Sequence, residues 1–405
     1  MSAKKITTIS LLGPAVVAGV AYLDPGNVAT NQTAGSTYGF LLVWVIVAAN
    51  LAAALVQFLS AKLGVVTGQS LPAVLGGRFK SRSGRLAFWA QAELVAMATD
   101  LAEIIGGALA LYLLFDLPLF IGGLITSFVS ILMLQFGAKR GAFSYQNIII
   151  SLVAITAIGF VAGLFVNPPR ITDVLAGMVP RVVDQGSILL VVGIFGATIM
   201  PHAIYAHSAL VRDRFGSELT DGHKTRILQG MRWDVAIAMS IAGFVNLAIL
   251  LVGAANLFGV EGTESIEGAH GAISASLGGA IAAIFAIGLL ASGLASTSIG
   301  AYAGSVIMSG LLKAKLPMLL RRVVSLIPAL IILAITSDAT WALVLSQVML
   351  SFGIPFALFP LIRLTSLGEV MGDFKSKNWV GTLGYLIATV ITALNLTLLW
   401  LTFFA

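Results

Sequence analysis

The sequence contains no cysteine and few charged residues. The absence of cysteine among its 405 residues excludes disulfide bonds, cysteine-ligated zinc, iron–sulfur clusters and thiolate catalysis. Charged residues make up only 10% of the chain, and hydrophobic residues make up 58%. Because soluble domains carry roughly 25% charged residues, the composition predicts a polytopic membrane protein.

The sequence also lacks two motifs that would define its energy source or its chemistry. It contains neither a GxxxxGK[ST] phosphate-binding loop nor an HExxH zinc motif. Without the first, any transport across the membrane would have to be driven by an ion gradient. Without the second, and with only 4 histidines, an intramembrane metalloenzyme is the least favoured function.

Runs of roughly 20 apolar residues predict eleven membrane-spanning helices. Their limits are 9–37, 40–63, 86–115, 117–137, 145–166, 187–211, 233–259, 271–298, 323–337, 339–362 and 379–404. No soluble domain is evident between them. Residues 1–405 are therefore predicted to form a single, all-α transmembrane domain.

The basic residues predict how the chain is oriented. If the N-terminus and every second loop face the cytoplasm, that side holds all but three of the 23 Lys and Arg residues. Because basic residues accumulate in cytoplasmic loops, we expect a multi-pass protein of the cell (inner) membrane, with its N-terminus in the cytoplasm and its C-terminus outside. This asymmetry accounts for the net charge of +6 without a nucleic-acid partner.

The first and sixth predicted spans are interrupted by polar and helix-breaking residues. The interruptions are Asp24-Pro25-Gly26-Asn27 and Gly196-Ala197-Thr198-Ile199-Met200-Pro201-His202. They lie five spans apart, and an odd number of spans per half gives two halves of opposite orientation. The pattern predicts an inverted-repeat transporter, with halves at 9–166 and 187–362 and an additional helix at 379–404.

The two interruptions together supply a candidate cation site. Pro25 and Pro201 each free backbone carbonyls just upstream. The candidate ligands are two such carbonyls and three side chains: Ala21, Ala197, Asp24, Asn27 and Met200. Carboxylate, amide and carbonyl oxygens bind divalent cations, whereas a thioether favours transition metals over Mg²⁺ and Ca²⁺. Met200 as a packing residue and Asp24 as a helix cap remain alternatives.

The third span carries Glu93, Asp100 and Glu103 at spacings that put them on one helical face. Three acids facing lipid would be too costly, so this face is expected to line the protein interior or an aqueous path. No role is assigned to Glu93. A structural alternative is that Asp100 and Glu103 pair with arginines to hold helices together.

Three arginines and two histidines complete the candidate residues. Arg214 follows the sixth span, and Arg321 and Arg322 open the ninth. They are either partners of the third-span acids or simple anchors at the cytoplasmic face. His202 is a candidate proton acceptor because its ordinary pKa is near 6.5, whereas His207 is expected to orient helices by hydrogen bonding.

These motifs resemble the Nramp family of proton-coupled divalent metal transporters. The resemblance rests on Asp24-Pro25-Gly26-Asn27 together with Met200-Pro201-His202-Ala203-Ile204-Tyr205-Ala206-His207-Ser208, and it extends from the first span to the eleventh. It implies a LeuT-like fold of ten core helices, the first and sixth unwound, plus one C-terminal helix.

The resemblance also implies roles for particular residues. The implied metal ligands are Asp24, Asn27, Met200 and the carbonyls of Ala21 and Ala197, joined in some conformations by Gln347. Thr99-Asp100-Leu101-Ala102-Glu103 matches the family's third-helix pair, which is implicated in moving protons, and the family places arginines beside that pair. Family members that carry magnesium lack the methionine, so Met200 favours Mn²⁺ or Fe²⁺.

The expected function is therefore import of a divalent transition metal coupled to protons, by alternating access around a mid-membrane site. The expected partners are the metal, protons and the lipid bilayer, with no enzymatic activity, no cofactor and no obligate protein partner. The runner-up function is a transporter of the same fold for Mg²⁺ or for a sodium-coupled amino acid.

Overall fold

The helices of the chain follow the predicted order of apolar segments. The structure is a computed structural model that describes residues 13–140, 142–313, 317–336 and 338–404, and the regular secondary structure of these ranges is helical. Residues 9–12 of the predicted first span, and the basic pair Lys4 and Lys5, lie outside the described residues.

The α-helices of the described ranges are α1 (Pro14–Gly19), α2 (Pro25–Tyr38), α3 (Val43–Thr67), α4 (Leu71–Arg78), α5 (Arg82–Phe115), α6 (Leu119–Arg140), α7 (Ala142–Val166), α8 (Ile171–Ala176), α9 (Gln185–Thr198), α10 (Pro201–Phe215), α11 (Asp221–Asn256), α12 (Ile266–Leu277), α13 (Gly279–Leu311), α14 (Met318–Ile335), α15 (Ala339–Ser366), α16 (Gly368–Met371) and α17 (Asn378–Phe403). Short 3-10 segments occur at Val20–Leu23, Gly39–Leu42 and Gly372–Phe374.

Ten of the eleven predicted spans correspond to a helix or, for the first and sixth, to a pair of helices, and the eighth overlaps parts of α12 and α13. Within the described ranges, 8 helical segments are long and apolar enough to cross a membrane, and Pro14–Leu23 and Leu119–Gln135 are shorter apolar helices. The chain is a multi-pass membrane protein, and the predicted all-α fold class is confirmed.

The predicted limits of the eighth span were wrong. Helix α12 ends at Leu277 and α13 begins at Gly279, with Gly278 between them at a φ of 96°. Glycine adopts this backbone conformation readily, whereas other residues do so at a cost. The predicted segment 271–298 therefore joined the end of one helix to the beginning of another, and α13 continues to Leu311.

Both predicted helix interruptions are present. The 3-10 segment Val20–Leu23 is followed by Asp24 in an extended conformation, and α2 begins at Pro25. In the second interruption α9 ends at Thr198, Met200 is extended, and α10 begins at Pro201. Proline fits the first position of a helix because its missing N–H would have no partner there, so each proline starts the second half of a broken helix.

Close helix contacts hold the first interruption in the core. A Cβ atom on Gly106 of α5 would lie 2.0 Å from Cβ of Pro25, so glycine is required for this approach. The start of α1 is fixed by Asp234 of α11, whose carboxylate accepts hydrogen bonds from the backbone N–H groups of Gly13 and Ala15 at 2.9 and 2.8 Å. The unwound segment therefore lies against α5 and α11.

The second interruption lies against α15. A Cβ atom on Gly196 would lie 1.9 Å from the carbonyl oxygen of Gln347, and one on Gly26 would lie 1.7 Å from Gln347 Nε2. Glycine at these two positions lets both broken helices approach the same turn of α15. The fold thereby brings Gln347 to both interruptions.

Candidate metal site

Asp24 lies at the centre of the first interruption and is fully buried. Its Oδ1 accepts a hydrogen bond from the backbone N–H of Asn27 at 2.8 Å, which makes it the N-cap of α2. Its Oδ2 accepts a hydrogen bond from Gln347 Nε2 at 3.4 Å. None of the salt bridges among the described residues involves Asp24, so neutral groups solvate this carboxylate.

Asn27 connects the two interruptions. Its Nδ2 donates to the carbonyl oxygen of Tyr22 at 3.0 Å and to that of Ala197 at 2.6 Å. The sequence predicted that Asn27 and the Ala197 carbonyl belong to one site, and the structure brings them into contact. The Ala21 carbonyl accepts the backbone N–H of Asp24 at 3.3 Å. Both predicted carbonyl ligands therefore accept hydrogen bonds in this arrangement.

Met200 is fully buried and is the N-cap residue of α10. Its side chain makes no capping hydrogen bond, and its carbonyl oxygen accepts the N–H of Ile204 at 3.1 Å. Methionine cannot cap a helix through its side chain, whereas Ser, Thr, Asp or Asn at this N-cap position would stabilise α10. Helix capping therefore does not account for methionine at this position.

Gln347 supplies an acceptor that has no partner. Its Nε2 donates to Ser346 Oγ at 3.0 Å and to Asp24 at 3.4 Å, whereas its buried Oε1 has no hydrogen bond among the described residues. Buried polar atoms are nearly always hydrogen-bonded, so an exception requires an explanation. A free amide oxygen on the side chain that contacts Asp24 is a suitable additional ligand for a cation.

The donor set around Asp24 is poor in charge. Within the part of the chain that the structure describes, no three His, Cys, Asp or Glu side chains cluster as a metal-binding group. A cation bound here would be held by one carboxylate together with amide, carbonyl and thioether donors. This set differs from that of a resident structural or catalytic zinc, which is typically bound by four or three protein ligands of the Cys, His and carboxylate types.

The third-span acids lie in a separate charged cluster between α5 and α14. Arg322 forms salt bridges with Asp100 and with Glu103, the latter at 3.1 Å, and all three side chains are fully buried. Arg321 pairs with Glu93 at 2.8 Å. The cluster therefore compensates its carboxylates with guanidinium groups of the same protein.

Glycines of α13 make room for this cluster. A Cβ atom on Gly304 would lie 1.7 Å from Cζ of Arg321, and one on Gly300 would lie 2.7 Å from Glu103 Oε1. Arg214 lies elsewhere, at the end of α10, with its guanidinium carbon 5.9 Å from the centroid of the Phe215 ring. The salt bridges described for the three acids are those with Arg321 and Arg322.

His202 lies between the second interruption and the charged cluster. Its Nδ1 is 3.1 Å from Thr99 Oγ1, next to Asp100, and its buried Nε2 has no hydrogen bond among the described residues. His207 points elsewhere: its Nδ1 is 2.6 Å from Gln57 Oε1. The two histidines therefore contact different helices, His202 through Thr99 of α5 and His207 through Gln57 of α3.

Sequence reasoning missed two features of this region. One is the Tyr22 hydroxyl, which accepts a hydrogen bond from Gln57 Nε2 and so extends the hydrogen bond between His207 and Gln57. The other is the ion pair that gives Glu93 a partner. For Glu93 a signal was present, since it lies seven residues before Asp100 on the same face of α5.

Comparisons with known proteins agree with this architecture. A family model described as natural resistance-associated macrophage protein-like (Nramp) matches residues 15–401. The chain is 54% identical over 399 residues to the divalent metal cation transporter MntH of Mycobacterium tuberculosis, covering 98% of this chain and 92% of the relative. It is 43% identical over 398 residues to MntH of Bacillus subtilis, covering 98% and 93% of the two chains.

Solved structures show the same fold. A manganese transporter of Eremococcus coleocola, in complex with an aromatic bis-isothiourea substituted compound, matches with a TM-score of 0.87 and 33% identity, covering 96% of this chain and 86% of that one. Mhp1, a nucleobase-cation-symport-1 family transporter, matches with a TM-score of 0.58 and 15% identity, covering 96% and 91%. The second likeness concerns the LeuT-like fold alone.

Proposed function

The chain belongs to the Nramp family, and from this premise we propose that it imports a divalent transition metal, Mn²⁺ or Fe²⁺, together with protons. The observation that carries the proposal is Asp24, a fully buried carboxylate in a helix interruption whose neighbours are neutral. A buried charge without a fixed counter-ion is costly. A divalent cation that enters the site compensates the charge of Asp24, and the carboxylate is again uncompensated when the cation leaves. Binding is therefore favourable but reversible, as a transport cycle requires.

The proposed ligands are those of the two interruptions and of α15. Asp24 supplies the charge, the carbonyls of Ala21 and Ala197 supply backbone oxygens, and Asn27 and Gln347 supply amide oxygens. For Asn27 this requires its amide to turn, because its Nδ2 now donates to the Ala197 carbonyl. The metal would thereby replace that hydrogen bond, which links binding to a rearrangement at both interruptions.

Met200 is the proposed selectivity element. Its thioether is a poor ligand for Mg²⁺ and Ca²⁺ and an acceptable one for transition metals. This supports Mn²⁺ or Fe²⁺ over the runner-up substrate Mg²⁺. The names of the relatives, a divalent metal cation transporter and a manganese transporter, support the same class of substrate.

For the protons we propose a path from His202 to the charged cluster. His202 contacts Thr99, one residue before Asp100, and Asp100 and Glu103 share Arg322 as a partner. Arg321, which pairs with Glu93, and Arg214 at the end of α10 are proposed to line the cytoplasmic end of the path. Since no cofactor or catalytic set is part of this scheme, we assign the chain no enzymatic role.

The proposed topology follows the basic residues. We place the protein in the cell (inner) membrane with its N-terminus in the cytoplasm and its C-terminus outside. The repeats are proposed to be 9–166 and 187–362, moving against each other around the site, with 379–404 as a peripheral helix. The partners are then the metal, protons and lipid.

Purified protein in liposomes tests the function. Entry of Mn²⁺ is followed with a metal-quenched dye inside the vesicles, and luminal pH with a second dye. We expect an inward proton gradient to accelerate uptake, Mn²⁺ addition to acidify the lumen, and replacement of Na⁺ by choline to change neither. Uptake that requires Na⁺, or metal entry without proton movement, would contradict the coupling, and preferential uptake of Mg²⁺ would contradict the substrate class.

A further inference from the structure

A cleft separate from the proposed metal site opens where α3, α11 and the segment before α17 meet. Its volume is about 580 Å³. The positive-inside rule predicts this end of the molecule to be cytoplasmic. Lining residues come from the end of α3, the first turns of α11 and the stretch 374–380. The cleft therefore lies where a membrane-spanning bundle meets the phospholipid headgroups.

Four basic side chains line this cleft: Lys62, Arg232, Lys375 and Lys377. No acidic side chain lines it, and none of the four forms a salt bridge within the described part of the chain. Lys62 and Arg232 are close enough for their charges to interact. Like charges held together repel, so an anion in the cleft would stabilise this arrangement.

Two of the four basic groups, those of Lys62 and Arg232, are held in place by neutral contacts. Lys62 Nζ donates to Ser376 Oγ at 3.2 Å, and the guanidinium carbon of Arg232 lies 5.7 Å from the centroid of the Phe58 ring. Asp221 of α11 pairs with Lys224 at 3.2 Å, outside the lining of the cleft. The positive charge is thus positioned without being neutralised.

The N-terminus of α17 opens into the same cleft. Lys377 is its N-cap residue and makes no side-chain capping hydrogen bond, and Trp379 and Val380 of its first turn line the cleft. The first N–H groups of a helix have no partner within the helix, and together with the helix dipole they bind phosphate groups well. This 26-residue helix therefore adds hydrogen-bond donors to the basic side chains.

Apart from Thr225, Gln229 and Ser376, the remaining wall of the cleft is apolar. Its apolar residues are Leu55, Phe58, Leu59, Leu228, Phe374, Trp379 and Val380. Trp379 is 63% exposed, and tryptophan is enriched at the level of the headgroups because its ring is amphipathic. A small inorganic anion would make no apolar contact with this wall, whereas the first carbons of a phospholipid's acyl chains would pack against it.

We propose that this cleft binds the phosphate group of an anionic phospholipid, with Arg232, Lys375, Lys377 and the N-terminus of α17 around the phosphate and the acyl chains along Phe58 and Trp379. Basic pockets between membrane helices on the cytoplasmic side are the kind of site that holds anionic headgroups. The lipid would join the end of α3 to the start of α11 and to the connection before α17.

The proposal is tested by lipid retention on the purified full-length protein, measured by native mass spectrometry. The probes are phosphatidylglycerol and phosphatidylcholine with the same acyl chains. The site variant is Arg232→Gln/Lys375→Gln/Lys377→Gln. The matched control is Lys80→Gln/Arg82→Gln/Lys313→Gln, which removes three exposed basic residues on the same predicted face and outside the cleft.

We expect the wild type to retain phosphatidylglycerol in preference to phosphatidylcholine. Each basic residue near an anionic headgroup contributes roughly a fivefold change in affinity, so the site variant should bind phosphatidylglycerol at least roughly tenfold more weakly. The control variant should stay within about twofold of the wild type, since its cations lie outside the cleft. Size-exclusion profiles of both variants check that they fold.

Two results would overturn the proposal. The first is equal retention of the two lipids, or an equal loss of phosphatidylglycerol in the site and control variants, which means that the cleft holds no specific lipid. The second comes from a separate arm with excess inorganic phosphate. If phosphate alone displaces phosphatidylglycerol completely from the wild type, the site recognises a soluble anion and the assignment to a lipid is wrong.

Discussion

Asp24 and Asp184 perform the same backbone task in opposite surroundings. Asp24 caps α2 by accepting the N–H of Asn27 at 2.8 Å, and Asp184 caps α9 by accepting the N–H of Ser187 at 2.7 Å. Asp184 is exposed and also accepts the Tyr38 hydroxyl at 2.7 Å. Asp24 is fully buried, and its second oxygen faces the Gln347 amide at 3.4 Å.

The comparison with Asp184 shows that helix capping alone does not explain why position 24 is an aspartate. At Asp184 the backbone hydrogen bond from Ser187, followed by that from Tyr38, holds the pKa of the carboxyl below its ordinary value, and water solvates the rest. At Asp24 water is excluded. Asparagine caps a helix about as well as aspartate, so a cap in the core has no need of a charge. A cation-binding role does need one.

The largest effect is therefore expected from Asp24→Asn. The cap is kept, so the protein should fold, while the charged ligand is lost. Truncating one partner of a buried charged pair costs about 2–5 kcal/mol, so Mn²⁺ uptake into liposomes should fall on the order of 100-fold, to the level of empty vesicles. Thermal unfolding should change little in the absence of metal.

Asp184→Asn is the matched control, because it makes the same chemical change at the exposed cap. Uptake by this variant should equal that of the wild type. If Asp24→Asn transports Mn²⁺ normally, or if both substitutions reduce uptake alike, then Asp24 is a structural cap and the proposed metal site is wrong.

Asp100 and Glu103 are buried like Asp24, but their carboxylates are compensated by the guanidinium group of Arg322. Neutralising the two acids removes two carboxylates that compensate the buried Arg322 guanidinium, which costs about 3–5 kcal/mol. The double variant Asp100→Asn/Glu103→Gln should therefore unfold at a lower temperature as well as lose proton movement. These two effects must be separated before the acids are assigned to a proton path.

A compensated variant separates them. Adding Arg322→Met to the double variant also removes the positive charge that the two carboxylates compensated. A buried ionic group replaced as a whole by apolar or neutral groups is often tolerated. We expect the triple variant to recover thermal stability and metal binding but not metal-driven acidification of the vesicle lumen. Recovery of acidification together with stability would mean that the cluster is only structural.

Met200 extends the comparison to the second interruption, because it occupies the N-cap position of α10 without capping the helix through its side chain. Replacing Met200 by Ala should lower Mn²⁺ uptake severalfold and allow Ca²⁺ and Mg²⁺ to compete, because the remaining ligands are all oxygens. The control is Met239→Ala, which removes a buried methionine of α11 that is not among the proposed ligands. An unchanged competition profile in Met200→Ala would show that the sulfur is not a ligand.

The helix interruptions could be predicted from the sequence because proline beside polar residues is rare within an apolar run. The same logic failed at Gly278, since glycine alone does not reveal whether its φ is positive. The contact of Asn27 with Ala197 followed from pairing the two interruptions. Gln347, in contrast, was named through resemblance, because a glutamine in an apolar helix gives no sign of which helix it faces.

The pairing of charges depended on information that the sequence does not carry. Glu93 and Arg321 lie more than 200 residues apart, and their contact depends on α14 packing against α5. The close approach at Gly304, where a Cβ would meet the guanidinium of Arg321, is equally invisible before the helices are assembled. Tyr22 was overlooked because its hydroxyl bonds Gln57 of α3, a contact that the aromatic ring alone does not indicate.

The smallest effect is expected at Asp184 and concerns pH. Because the folded protein holds the pKa of Asp184 below its ordinary value, the carboxylate contributes stability that is present above the unfolded pKa of about 3.9 and is lost as the pH falls through the lower, folded value. Loss of a helix cap in a chain of this length should lower the unfolding temperature by roughly 1–2 °C. The Asp184→Ala variant should therefore have a lower unfolding temperature than the wild type at pH 7, and this difference should shrink below about pH 4. Asp184→Asn should keep a pH-independent advantage over the Ala variant, since its amide caps without titrating. If the gap between wild type and Asp184→Ala stays constant down to pH 3, the charge on Asp184 contributes nothing, and the contrast with Asp24 must rest on burial alone.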